Sequence, residues 1–273
     1  MYKKRTNKPY ISGDSIASLV EYVAYGKSKN KMINKKKLKK AKTIFVYSDK
    51  LYEFLENYSD YIFGHTLVTG NGDTNFDFEI SMPKSIKLWL CQNNSISDRK
   101  NIRTLPIGIE NLKLGRTGIK TYYKKHDVDA IKNKILVPPM SPSNPVRAKL
   151  IFECMKHPDL FVVERQMLTE SNYFDLTRKY RFVLCLEGNG YENHRIWETL
   201  YQGSFPVMLK TKWSKTLSYL DLPILFFEKI SDLNSRTLFD FIETNKGFNP
   251  DESECLWTPY WADLIQNESK PEF

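Results

Sequence analysis

A chain of 273 residues, 41% apolar and 14% aromatic, is long enough for about two domains of roughly 100–200 residues, each with a buried core. No apolar run approaches the ~20 residues of a membrane-spanning helix, and no apolar signal core follows the basic N-terminus. The four scattered cysteines, Cys91, Cys154, Cys185 and Cys255, form no CxxC pair, which argues against a zinc site or disulfide framework and for a reduced, cytoplasmic setting.

In chain order, Asp14 or Ser15 is expected to cap a helix with Ile16, Leu19, Val20 and Val23 on its apolar face. Residues 27–42 then hold nine lysines and no acid, so the net charge of +9 lies wholly in this stretch. Its plain reading is a solvated surface. Its functional reading is peripheral contact of Lys27 to Lys42 with an anionic membrane. Nucleic acid is not expected as a partner, because no aromatics interleave the lysines and no known binding module surrounds them.

Residues 43–47 read as a strand, with Asp49 capping a helix over 50–57. Short strands follow at 66–69, 86–91 and 104–107. Their ends deliver Asn71 and Asp73, Gln92 and Asn93, and Glu110 and Asn111, and in a parallel sheet such ends gather on one edge. Residues 115–133 read as a surface linker. A second series comprises strands at 135–137, 161–163, 181–186, 205–209 and 224–227, alternating with helices ending at 155 and over 171–179, 193–202, 212–219 and 233–244. The alternation predicts an α/β fold of two Rossmann-like domains facing a cleft. The expected divisions are two α/β halves, 1–125 and 126–250, and an aromatic helix within 251–273 that returns to the first domain.

The richest stretch runs from Tyr180 to Lys210. A strand, a loop with Gly188, Asn189 and Gly190, and a helix carrying His194, Arg195 and Glu198 are followed by a turn at Gly203. A loop at the carboxyl end of a strand, opening onto a helix N-terminus, suits a phosphorylated ligand. Arg195 could meet a phosphate and Glu198 a ribose diol; the plain alternative is an ordinary crossover whose glycines make a turn. Arg147, after the loop from Ser141 to Pro145 that includes Asn144, offers a second guanidinium at a helix start. Its alternative is a surface arginine. Asp73 could present a carboxylate base, against an Asx-turn role. The loop from Asp73 departs from a calcium loop, with Phe78 where glycine and Lys84 where glutamate belong. The Asp127–Asp129 pair lies in the lysine-rich linker, and His65, His126 and His157 have no ligand partner at motif spacing, so no metal is expected.

The stretch from Tyr180 through Glu187, Gly190, His194, Arg195 and Glu198 to Gly203 and Pro206 resembles exostosin-like glycosyltransferases and is similar to the fucosyltransferase donor-binding signature. Three earlier blocks, around 67–73, 88–93 and 105–111, resemble bacterial and viral exostosin-like enzymes. The resemblance implies a GT-B fold, with 1–125 on the acceptor side and 126–250 binding the nucleotide sugar, and transfer of a sugar from a UDP- or GDP-type donor to a glycan hydroxyl, with inversion and no obligatory metal or other cofactor. It implies donor binding by Arg147, Asn144, Glu187, Gly188, Asn189, Gly190, Arg195 and Glu198. Asn71, Asn93, Glu110 and Asn111 would then lie on the acceptor side. Asp73, with Asp14 as second choice, would be the base. Cytoplasm, or host cytoplasm for a viral protein, is the implied location. The alternative of another class is a non-catalytic module that binds a nucleotide sugar or glycan.

Overall fold

The computed structural model describes residues 9–25, 33–77, 86–141 and 143–267. Lys27, Lys29 and Lys31 of the basic stretch, together with Phe78 and Lys84, lie outside them. The chain forms two compact units. One comprises Met1–Ile107, Lys212–Leu220 and Trp257–Phe273, and the other Gly108–Thr211 and Asp221–Leu256. Among the described residues, no helix is long and apolar enough to cross a membrane.

The first unit begins with helix α1 (Gly13–Ala17), strand β1 (Tyr22–Ala24), helix α2 (Lys35–Lys40), strand β2 (Thr43–Tyr47) and helix α3 (Leu51–Tyr58). Strands β3 (Thr66–Gly70), β4 (Leu88–Cys91) and β5 (Ile102–Thr104) complete a parallel sheet in the order β1-β2-β3-β4-β5. The inner strands are buried on both faces, as continuous runs such as Thr43–Tyr47 require. Ile44, Leu67, Trp89 and Ile102 are aligned neighbours and pack with Leu38 of α2 and Leu51, Phe54 and Leu55 of α3.

Several expected elements are corrected. The first helix stops at Ala17, and its cap is Ser12, in a reciprocal capping box with Ser15. Val23, assigned to that helix, instead lies in β1 opposite Phe45, so pairing with the edge of β2 overrides the helical spacing. Asp49 does not cap α3. Lys50 holds that position without a side-chain bond, while Asp49 Oδ1 accepts from Thr74 Oγ1 at 2.8 Å. Strand β5 ends at Thr104 rather than starting there. Leu105 still donates to Cys91 O at 3.0 Å, but Pro106 has no N–H with which to extend the ladder. Within the lysine stretch, α2 buries only Leu38, and Lys35 Nζ lies 4.9 Å from the Tyr61 ring centroid.

The second unit contains β6 (Ile131–Val137), α4 (Pro145–Met155), β7 (Phe161–Val163), α5 (Glu170–Thr177), β8 (Tyr180–Leu184), α6 (His194–Tyr201) and β9 (Phe205–Leu209). Helix α7 (Lys212–Lys215) belongs to the first unit. Strand β10 (Leu225–Phe227) and helix α8 (Ser235–Thr244) return to the second, and α9 (Thr258–Gln266) returns to the first. The sheet is parallel, in the order β10-β9-β8-β6-β7. From β6 the chain goes to β7 on one side and then crosses to β8 on the other. The β6–β8 boundary is therefore the topological switch point, where open α/β sheets offer a crevice beyond the carboxyl ends of their strands.

Residues 115–133 are not a linker. Tyr123 is 1% exposed, its ring packs against Phe174 and Tyr201, and its hydroxyl donates to Thr117 O. His126 N donates to Gln202 O at 2.8 Å, and Ile131 already begins β6, so this segment is part of the second unit. Arg181 binds Gly203 O at 2.9 Å and His126, where Gly203 takes the left-handed φ of +76° that ends α6.

In the first unit, α9 packs against α1, and Tyr10 pairs with Trp257 in an isolated antiparallel bridge. Trp261 and Ile265 are fully buried. Trp261→Ala is expected to cost the first unit about 3–5 kcal/mol, read as a lower urea midpoint by circular dichroism against wild type.

Candidate functional site

Two loops leave the switch point, residues 138–144 after β6 and 185–193 after β8, and side chains of α4 fasten them together. Asn144 caps α4: its Oδ1 accepts from Arg147 N at 2.8 Å, and its Nδ2 donates to Glu187 O and Gly188 O at 3.2 and 2.8 Å. Pro145 suits the first helical position, where no N–H is needed. Arg147 is 7% exposed and donates from Nε to Glu187 O, from Nη1 to Ser141 O and from Nη2 to Leu186 O, at 2.8, 2.9 and 3.0 Å. A Cβ on Gly188 would stand 3.1 Å from Arg147 Nη2, so glycine permits this close approach. Burial, and then the charge of Arg195, hold the Arg147 pKa below its ordinary value.

Arg195, in the first turn of α6, donates from Nη2 to Pro139 O at 3.1 Å and from Nε to Tyr173 Oη at 3.2 Å. Tyr173 Oη in turn donates to Glu198 Oε2 at 2.9 Å. Glu198, only 4% exposed, lies one turn along α6. Burial, followed by the Glu198 charge, pushes the Tyr173 hydroxyl well above the usual phenol range, so it stays protonated and serves as a donor. Tyr173 thus fixes both the arginine and the carboxylate.

Arg147, Arg195, Tyr173 and Glu198 line a cavity of about 390 Å³, with Glu110 and Asn193 contributing further polar wall. No side chain caps the N-terminus of α6. Asn193 donates from Nδ2 to Leu186 O at 2.7 Å, while its buried Oδ1 has no hydrogen-bond partner among the described residues. The site therefore combines three guanidiniums, Arg116, Arg147 and Arg195, with an uncapped helix start, the buried Glu198 carboxylate, the less buried Glu110 and Glu170, and an orphan acceptor. That set can hold an anionic group at one end and hydroxyls at the other. The comparisons were negative. No protein-family model and no curated protein matches the chain.

Of the expected donor-binding residues, Asn144, Arg147, Glu187, Gly188, Arg195 and Glu198 converge on or directly behind this cavity. Gly190 takes part through its carbonyl, which accepts from Gly188 N at 3.0 Å, and Asn189 is exposed on the same loop. Glu110 also lines this cavity, its Oε2 accepting from Thr117 N at 3.1 Å. It and Asn111 belong to the second unit, whereas Asn71 and Asn93 belong to the first. There Asn71 and Asn93 take left-handed φ values of +56° and +54°. Asn71 N donates to Gln92 Oε1 at 3.0 Å, and Asn93 Nδ2 donates to Gly72 O at 3.3 Å. Asp14 Oδ1 accepts from Asn71 Nδ2 at 3.4 Å, and Asp73 is exposed in the same loop. Sequence reasoning missed Tyr173, which sits on a polar helix without a motif. His194 had no assigned role; its Nδ1 contacts Gly108 O at 2.8 Å, anchoring the segment that carries Glu110.

Glu187 provides a pH test. Burial raises its carboxyl pKa, only partly offset by a hydrogen bond from Thr211, and Oε1 lacks a partner among the described residues. For an acid raised in the folded state, the unfolded chain releases its proton first. Stability is then full below the ordinary value of about 4.3 and falls as pH rises from there through the folded-state pKa. Glu187→Gln is expected to flatten this decline in urea titrations across acidic to neutral pH; an unchanged slope would remove Glu187 as its source.

Proposed function

We propose that the chain is a glycosyltransferase of GT-B type that moves a sugar from a UDP- or GDP-linked donor to a glycan hydroxyl. The observation that carries this reading is the cavity at the switch point, where Arg195 is held beside Arg147 and one helical turn from the buried Glu198. Its cationic end suits a diphosphate, and the Glu198 carboxylate suits the vicinal hydroxyls of a ribose. The resemblance of the 180–210 stretch to exostosin-like enzymes points the same way.

In the proposed reaction, an acceptor hydroxyl attacks the anomeric carbon and the bond from that carbon to the diphosphate oxygen breaks. The proton passes to a carboxylate, Asp73 with Asp14 as second candidate, and the nucleoside diphosphate leaves with the bonding electrons. Direct displacement inverts the anomeric centre. Arg195 carries the larger share of leaving-group stabilisation. Arg147 gives three of its five N–H groups to backbone carbonyls at 2.8–3.0 Å, whereas Arg195 gives two to oxygens and a weak third, at 3.9 Å, to the Met140 sulfur. Arg147 acts chiefly by shaping the phosphate-facing loops. No obligatory metal is part of this mechanism, since guanidiniums and the α6 N-terminus supply the positive charge.

A thermal-shift panel of UDP-, GDP-, dTDP- and CMP-sugars tests the donor. The expected outcome is stabilisation by a UDP or GDP compound, growing with the logarithm of its concentration. Arg195→Ala should weaken that binding roughly 10- to 100-fold, the loss of a charge-assisted contact. Response to none of the four would sink the nucleotide-sugar reading. For the base, Asp73→Asn should lower turnover roughly a hundredfold or more while leaving donor binding intact. Near-normal turnover would move the role to Asp14, and donor binding without any turnover would make the chain a binding module.

A further inference from the structure

Helix α2 is short, basic and presented to solvent. Leu38 is its one buried residue, and at about 3.6 residues per turn Lys36 and Lys40 then point directly away from the core, with Lys37 and Lys39 to either side. These four and Lys42, just beyond the helix, are exposed, and their ammonium groups have no hydrogen bond, ion pair or ring contact among the described residues. Glu21, whose carboxylate accepts from Lys42 N at 2.6 Å, and the exposed Asp60 of the adjoining Ser59–Tyr61 turn offset only part of this charge. Beside the helix runs the segment that leads into β3. Lys35 Nζ lies over the Tyr61 ring, and His65 Nε2 contacts Leu38 O at 3.3 Å, so residues 61 and 65 both touch α2. Between them the chain turns at Gly64, which takes a left-handed φ of +71°. At that turn Phe63 is 85% exposed, more than any other phenylalanine among the described residues.

The plain explanation of the lysines is a solvated surface that keeps the chain soluble. That accounts for the helix alone. It does not account for a bare phenyl ring at its flank, which is disfavoured in water. We infer that α2 and Phe63 together dock the chain peripherally on an anionic lipid bilayer. A plane of lipid headgroups matches several unpaired ammonium groups on flexible stems, which need no fixed partner geometry, while the aromatic ring enters the interface beside them. Nucleic acid fits less well. Residues 6–98 contain no arginine, so the face lacks the planar fork that grips phosphates bidentately. The Tyr58 and Tyr61 rings face Lys35 Nζ at 6.0 and 4.9 Å, which leaves Phe63 as a single ring where successive bases would need several. Docking on this face stands whether or not the chain transfers glycosyl groups.

Co-sedimentation of the full chain with vesicles of phosphatidylserine and phosphatidylcholine in equal parts tests the docking. Each lysine near such a surface is worth roughly fivefold in affinity, so Lys36→Gln/Lys40→Gln, altered at solvent-facing positions, should bind roughly 25-fold more weakly. Phe63→Ser should bind several-fold more weakly, and Phe63→Trp should bind like wild type, since tryptophan also suits the interface. Lys179→Gln/Lys246→Gln removes the same charge from the second unit and should bind like wild type. Pure phosphatidylcholine vesicles should not be bound, and raised salt should release the chain from the mixed ones. No sedimentation with the mixed vesicles, equal binding to pure phosphatidylcholine, or an equal loss in the second-unit pair would overturn the proposal. So would wild-type binding by either Lys36→Gln/Lys40→Gln or Phe63→Ser. Binding of duplex DNA or single-stranded RNA that Lys36→Gln/Lys40→Gln abolishes, without vesicle binding, would replace the bilayer with a nucleic acid.

Discussion

Arg147 is a buried cation held by backbone oxygens, with no carboxylate among its hydrogen-bond partners, and the architecture of the second unit depends on this arrangement. Its three carbonyl partners come from the loops on either side of the β6–β8 boundary, and Asn144 adds two more bonds from the same helix start. Loops at a switch point diverge by topology, and a crevice there has no sheet beneath it to fix its width. The Asn144–Arg147 staple sets that width. Each charge-assisted bond contributes about 1.5–3 kcal/mol, and without the guanidinium the buried Leu186 carbonyl would keep only its bond from Asn193 Nδ2. The positive charge is a by-product of this fastening as well as a feature of the cavity, for Arg147 is brought close enough to Arg195 to feel its field.

The two units solve the problem of covering a parallel sheet differently. The second crosses over at β6, and the reversal opens its crevice. The first is wound in one direction from β1 to β5, and right-handed crossovers then place the intervening helices on one face. Phe45, Val68 and Leu90, on the alternate face from Ile44, Leu67 and Trp89, are nonetheless fully buried. The helices of this unit outside the α2–α3 cluster are α1, α7 and α9, and they bring the buried Ile16, Trp213, Trp261 and Ile265.

The α/β alternation was legible because continuous β-branched and aromatic runs such as Thr43–Tyr47 and Phe205–Leu209 have few other outcomes, and both match the expected strands residue for residue. Arg195 and Glu198 were legible together because a one-turn spacing puts them on the same helical flank. Tyr173 was not, since its role arises from α5 meeting α6, and a tyrosine among Ser171, Asn172 and Asp175 gives no periodic signal. Residues 115–133 misled because their lysines and glycines carry no period, while Tyr122, Tyr123, His126 and Asp127 fasten the segment. Val23 misled because helical spacing over a few residues cannot compete with an open strand edge. Glu110 was expected beside Asn71 by analogy of strand ends, yet Gly108 marks the point at which the chain passes into the second unit.

The first unit is assembled from three stretches of chain, with the second unit completed inside them. During synthesis, β1 to β5 leave the ribosome well before α7 and α9 exist, so the first unit waits for its last segments, Lys212–Leu220 and Trp257–Phe273. The second unit meets no comparable delay, since Gly108–Leu256 emerges with only the short Lys212–Leu220 excursion. Nascent chains would then carry a finished C-terminal half ahead of an incomplete N-terminal half, the reverse of the usual order for multidomain proteins. Chaperone dependence, premature aggregation and sensitivity to C-terminal truncation would all be concentrated in the half that is made first.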